Sequence, residues 1–130
     1  MTIQISELPN RGDARGFSFA MPPQGFDFLG HTADMHLASI KPGAVRGNHY
    51  HIRKQETIIF LPSTPWSLHW DEGEGMSPQH RNFDGSAAVL VLISPGTSHA
   101  VRNDGDAPLW LVACSSEPYD PATVVARKVL

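Results

Sequence analysis

The chain holds a single cysteine, Cys114, among 130 residues. No internal disulfide can staple it, and a reducing compartment is permitted. No apolar run approaches the ~20 residues that a helix needs to cross a bilayer. The opening Met1-Thr2-Ile3-Gln4-Ile5-Ser6-Glu7 lacks the basic start and apolar stretch of a secretory leader. A soluble, cytoplasmic protein without membrane contact is therefore expected. Cationic excess is missing too: the formal charge is −3 and there is no basic run, so nucleic acid finds no electrostatic foothold. Low-complexity tracts, internal repeats and strand–helix–strand alternation are also absent. That argues against solenoids and parallel α/β folds.

What is present is punctuation. Eleven glycines and eleven prolines separate short runs rich in β-branched and aromatic residues. Strands are expected at Ile3 to Ser6, Phe17 to Ala20, Asp34 to Ile40, Val45 to His51, Glu56 to Leu61, Trp66 to Trp70, Ala87 to Ile93, His99 to Asn103 and Leu109 to Ser115. A helical turn is expected only near Ala122 to Lys128. Short strands at this rhythm read as an antiparallel all-β sandwich or barrel.

The chemistry gathers around Arg46-Gly47-Asn48-His49-Tyr50-His51, with Glu56 shortly after and His99 far downstream. Two histidines two apart on a strand share one face, with Cα atoms roughly 6.6 Å apart. Tyr50 then faces the other way. Three imidazoles and a carboxylate make a donor set with open positions for a divalent ion, such as Zn, Fe, Mn, Ni or Co. An isolated His-x-His is usually a pair of ordinary polar residues, and Glu56 and His99 are what raise it above that.

Other residues read more blandly. Trp66, Leu68 and Trp70 alternate on a core face, with an aromatic ligand wall as the lesser reading. Cys114 reads as inert core, and His31, His36, His69 and His80 as structural or exposed. Asp71, Glu72 and Glu74 read as a solvated hairpin tip, and Arg102 as pointing away from the face of His99.

Gly43, then His49-x-His51, then Glu56, resembles the first motif of the cupin superfamily. Pro95-Gly96-Thr97-Ser98-His99-Ala100-Val101-Arg102-Asn103 is similar to the second, with Ser63 and the position of Pro95 as departures. The resemblance implies a single cupin (double-stranded β-helix or jelly-roll) barrel of antiparallel strands over residues 1–130. Residues 1–33 would supply N-terminal strands and loops, 34–115 the core and 116–130 a tail. His49, His51, Glu56 and His99 are then the metal ligands.

The Arg-Gly-Asn-His wording resembles the C-terminal cupin of bifunctional capsular-polysaccharide enzymes and, more distantly, dTDP-4-dehydrorhamnose 3,5-epimerases. It implies a nucleotide-sugar epimerase or isomerase role in polysaccharide biosynthesis. Arg46 would contact pyrophosphate, and His49 would be the base if it is not metal-bound. A metal-dependent dioxygenase of a small organic molecule and a non-catalytic sugar- or effector-binding cupin stay open as alternatives. A sugar nucleotide as ligand and a homodimer are the partners this resemblance implies.

Overall fold

The computed structural model describes residues 2–130. Ten strands and two short helical segments follow in the order β1 (Ile3–Leu8), α1 (Pro23–Leu29), β2 (Asp34–Ile40), β3 (Val45–His51), β4 (Glu56–Phe60), β5 (Trp66–Trp70), β6 (Gln79–Phe83), β7 (Ala88–Ile93), β8 (His99–Asn103), β9 (Leu109–Ser115), a 3-10 turn (Pro121–Thr123) and β10 (Val124–Ala126). They form two five-stranded antiparallel sheets, β1-β7-β4-β9-β2 and β10-β3-β8-β5-β6. This is a jelly-roll-like pair of sheets. Among the described residues no ladder joins the two, so the expectation of a barrel reduces to two opposed sheets.

Strand alternation builds the core. Ile3, Ile58, Phe60, Val89, Val91, Leu109 and Leu111 of the first sheet meet Trp66, Leu68, Trp70 and Val101 of the second. Trp66 is sandwiched between Phe60 and Phe83, with ring centroids 4.2 and 4.1 Å away. Trp66 and Trp70 are thus core residues, not a ligand wall.

The outer face of the first sheet carries a second cluster of Leu8, Ala88, Leu90 and Leu92, covered by Phe19, Met21 and Phe28 of the N-terminal segment. The Thr57 hydroxyl donates to the Gly25 carbonyl at 2.9 Å, tying α1 to that face. Cys114 lies in register with Thr57 and is buried. Burial and the nearby Asp34 push its thiol pKa up, which fits an inert role.

Four expectations change. The helix α1 was not expected, although Pro23 at its start and Gly30 just after its end are the signals for one. Strand β6 was missed because Gln-His-Arg-Asn-Phe is polar and exposed along most of its length, leaving no alternation to read. Phe17–Ala20 forms no strand, and Phe19 instead packs as a loop residue on the outer cluster. The C-terminal segment is a 3-10 turn followed by a strand, because the β-branched Val124 and Val125 pair with β3.

Candidate functional site

The site is built by one irregularity in β3. Gly47 pairs with Ala100 and His49 pairs with His99. Asn48 is therefore an extra residue, and the strand bulges there. Arg46 and His49 are three residues apart, and a regular strand would send them to opposite faces. The extra residue restores agreement, so both line one cavity. Gly47 has φ 116° and Asn48 φ 60°, a region that glycine tolerates best and asparagine better than most. A Cβ on Gly47 would sit 2.4 Å from the His99 carbonyl oxygen. Glycine is required by space as well as by conformation.

The cavity of about 390 Å³ lies between the two sheets. Ile58, Phe60, Val101, Leu111 and Ala113 form its apolar walls, while His49, Glu56 and His99 form its polar end. Arg46 also lines it, with its Nε donating to the Ser39 carbonyl at 2.9 Å. His36 is exposed, as the sequence implies, and also lines the same cavity. Its Nδ1 lies 3.5 Å from Asp34 Oδ2. The Asp-x-His spacing on a strand was the available signal, since it places both side chains on one face.

Three of the four candidate ligands, the histidines, converge, and Glu56 approaches two of them. The three imidazoles place one nitrogen each within 4.8 Å of the others. Glu56 Oε1 is 3.0 Å from His51 Nε2 and 3.6 Å from His99 Nε2. His51, Glu56 and His99 are buried, and His49 is half-buried. His99 Nδ1 contacts the Thr97 carbonyl at 3.1 Å. A carbonyl can only accept, so the proton sits on Nδ1 and a neutral ring turns its Nε2 lone pair toward Glu56. Two acceptors then face each other, which calls for a proton or a cation between them. Glu56 Oε1 and His51 Nδ1 are also buried without a properly aligned hydrogen bond among the described residues.

Donors bound at ~2.1 Å lie no more than ~4.2 Å apart around one ion, so a small contraction of the cluster would seat one. The residues fit a divalent ion. Burial, then the charges of His99 and His51, push the His49 imidazole down to about 4, leaving it neutral at pH 7. Burial pushes Glu56 up, but the neighbouring His51 and His99 outweigh it and hold the carboxyl at about 2. A neutral His49 and an ionised Glu56 are the forms that ligate.

The other singled-out residues stand apart. Tyr50 faces away and carries the Arg127 guanidinium 4.4 Å over its ring. His69 bonds Ser67 at 2.9 Å and stacks on His80. Arg102 pairs with Asp104. Asp71 departs from the expected solvated tip: it is 3% exposed and bound to Arg127.

A jelly-roll-like fold with a histidine–glutamate cluster at one end of its cavity defines the class. Residues 29–124 match the polysaccharide biosynthesis C-terminal domain family, and the chain belongs to it. The spore coat polysaccharide biosynthesis protein SpsL of Bacillus subtilis (strain 168) is 23% identical over 124 residues, spanning 92% of this chain and 82% of SpsL. NovW, a 4-keto-6-deoxy sugar epimerase from the novobiocin gene cluster of Streptomyces spheroides, superposes with a TM-score of 0.76 at 21% identity, covering 95% of this chain and 67% of NovW. The capsular polysaccharide assembling protein CapF of Staphylococcus aureus gives 0.68 at 22% identity over 95% of this chain. This chain spans 33% of CapF. At these identities the solved structures speak to the fold. No helix among the described residues is long and apolar enough to cross a membrane.

Proposed function

We propose that this protein is a metal-binding, epimerase- or isomerase-like cupin acting on a keto-sugar nucleotide in polysaccharide biosynthesis. The observation that carries the reading is a single cavity joining Arg46 to the cluster of His49, Glu56 and His99. The SpsL relative and the NovW fold support it, as does ChmJ, a 3'-monoepimerase from Streptomyces bikiniensis solved in complex with dTDP-quinovose.

Arg46 forks onto the diphosphate while the sugar enters the cavity along its apolar walls. His49, His51, Glu56 and His99 would hold the divalent ion. When bound, such an ion polarises a ketone oxygen and stabilises the charge that gathers there. A ligating His49 has no free lone pair, so the proton beside the ketone goes to an imidazole outside the cluster. His36, beside Asp34 on the cavity wall, fits that part.

The test is solvent-deuterium incorporation next to the ketone of a UDP- or dTDP-4-keto-sugar by the metal-loaded protein. Exchange is expected, and Arg46→Ala should weaken apparent substrate binding by roughly tenfold or more, the cost of a charged hydrogen bond. Absence of exchange with every such sugar would refute catalysis. One observation favours a second reading, that of a non-catalytic binding cupin. No tyrosine lines the cavity among the described residues, so phenolic acid catalysis is not on offer. Tight sugar-nucleotide binding without exchange would select that reading.

We also propose a two-fold dimer through the edge of the first sheet. Its edge strand β2 exposes Met35 and Leu37 on the outer face, 62% and 72% accessible, beside Trp110 at 51%. A second copy of the same strand, laid antiparallel, satisfies the edge backbone and covers this apolar row with itself. The opposite face of β2 lines the cavity through His36 and Ala38, so the interface would adjoin the site.

A further inference from the structure

The C-terminal segment runs over the back of the histidine cluster, and its contacts converge on the two strands that carry the imidazoles. Strand β10 pairs with β3 through Val124 with His51, Val125 with Tyr50 and Ala126 with His49. The Asn48 carbonyl accepts from the Arg127 amide at 2.9 Å. The Asn48 side chain then reaches the chain end. Its Oδ1 accepts from the Val129 and Leu130 amides at 2.9 and 3.0 Å, and its Nδ2 donates to the Leu130 carbonyl at 3.3 Å. Asn48 is the residue on which the parity of β3 turns, so the tail fastens the bulge that aims His49.

A second set of contacts reaches His99. Arg127 donates to both carboxylate oxygens of buried Asp71, at 2.7 Å each, and to the Gly96 carbonyl at 2.8 Å. The Ser98 hydroxyl donates to the Arg127 carbonyl. The Ser98 amide lies 3.3 Å from Asp71 Oδ1, and the Gly96 amide donates to the His51 carbonyl at 2.8 Å. Residues 96–98 include Thr97, whose carbonyl sets the tautomer and direction of His99. A shift in this turn would rotate that imidazole, as partners of a ligating histidine generally do.

We propose that the C-terminal segment 124–130 is a clamp that positions the histidine cluster, with Asn48 and Arg127 as its positioning residues. This explains why the motif reads Arg-Gly-Asn-His. Arginine and histidine face the cavity, glycine permits the close approach of β8, and asparagine both occupies the left-handed position and receives the tail. The proposal rests on the cluster being the working site and adds what holds it in shape.

Three full-length variants test it. Asn48→Gly keeps the left-handed backbone but removes the side chain, Asn48→Asp keeps the acceptor, and Arg127→Lys keeps the charge but loses the fork. One readout is metal-free: the ¹⁵N–¹H imidazole spectra of His49, His51 and His99, which report tautomer and hydrogen bonding. The other is the visible spectrum and competition affinity of bound Co(II). Asn48→Gly and Arg127→Lys should stay folded by circular dichroism, move the His49 and His99 signals, and lose about tenfold or more in Co(II) affinity. Asn48→Asp keeps the two amide contacts but loses the donation to Leu130, and should fall between the parent and Asn48→Gly in both.

Parent-like imidazole spectra in both Asn48→Gly and Arg127→Lys would overturn the clamp. If only Asn48→Gly fails to fold, Arg127→Lys decides alone. Unfolding of both assigns the segment to general stability and also overturns it. A parent protein that binds no Co(II) defeats the metal reading, while the imidazole spectra still decide the clamp.

Discussion

Replacing Gly47 with alanine separates backbone strain from steric contact, because Gly43 supplies the control. Both glycines have positive φ, 76° at Gly43 and 116° at Gly47. A Cβ on Gly43 meets nothing within 4 Å, whereas on Gly47 it meets the His99 oxygen at 2.4 Å and the Ala100 Cα at 2.8 Å. Gly43→Ala should therefore cost only the conformational penalty, about 1–2 kcal/mol. Gly47→Ala adds an overlap of nearly 1 Å with the β8 backbone. Relief requires the strands to part, at the cost of a ladder hydrogen bond worth about 1 kcal/mol and of disturbed packing around it. A total of about 3–5 kcal/mol follows.

At roughly 4 °C per kcal/mol for a chain of this size, the melting temperature should fall by about 4–8 °C for Gly43→Ala and about 12–20 °C for Gly47→Ala. Differential scanning calorimetry of the two variants beside the parent measures both. The overlap sits on the backbone of His99, so any folded Gly47→Ala protein should also bind Co(II) more weakly, while Gly43→Ala should not. Equal melting shifts for the two variants would refute the close approach of β3 and β8 as the reason for Gly47.

Two further outcomes follow from the same geometry. In metal-free protein His49 titrates at about 4 instead of the usual 6.5, and Glu56 at about 2 instead of 4.5. Both values are lower folded than unfolded, so the unfolded chain binds more protons as pH falls. The stabilisation is complete above pH 6.5. It declines through His49 between 6.5 and 4, and through Glu56 between 4.5 and 2. The Glu56 shift corresponds to at most ~3 kcal/mol, and the more accessible His49 contributes less after screening. Urea midpoints that stay flat from pH 7 to pH 4 would contradict this. For the dimer, Leu37→Glu places two carboxylates near one two-fold axis and should convert the protein to monomer in light scattering. A parent protein that is monomeric at ~10 µM, or a Leu37→Glu dimer, would remove the proposed interface.

Legibility in the sequence tracked how local each cause is. His49-x-His51 is visible because strand alternation acts over two residues, and Glu56 because the next strand begins five residues on. His99 became visible through its own turn-and-strand signature. Their convergence in the structure needs alternation in β3, its neighbour β8 and the opposing β4, together with the bulge at Asn48 that sets His49 opposite His99. His36 was not legible in the same way. Its place on the cavity wall depends on β2 lying beside β9, a pairing between residues more than seventy positions apart. Asp71 misled for a related reason: an acidic, glycine-rich stretch reads as a solvated tip, and only the arrival of Arg127 from 56 residues downstream buries it.

Asn48 shows where sequence reasoning stops. A Gly-Asn pair inside a strand pattern is itself a bulge signal, and it was present in the motif. What the motif could not disclose is the consequence, because a bulge is defined by the partner strand's register and by whatever fills the position it opens. Here the partner is β8 and the filler is the pair Val129 and Leu130, 81 and 82 residues away from Asn48. The same short run therefore encodes two things of different range. The histidines declare their donor chemistry locally, whereas the agreement in direction between Arg46 and His49, on which the proposed joining of a phosphate and a metal site depends, is a property of the assembled sheet.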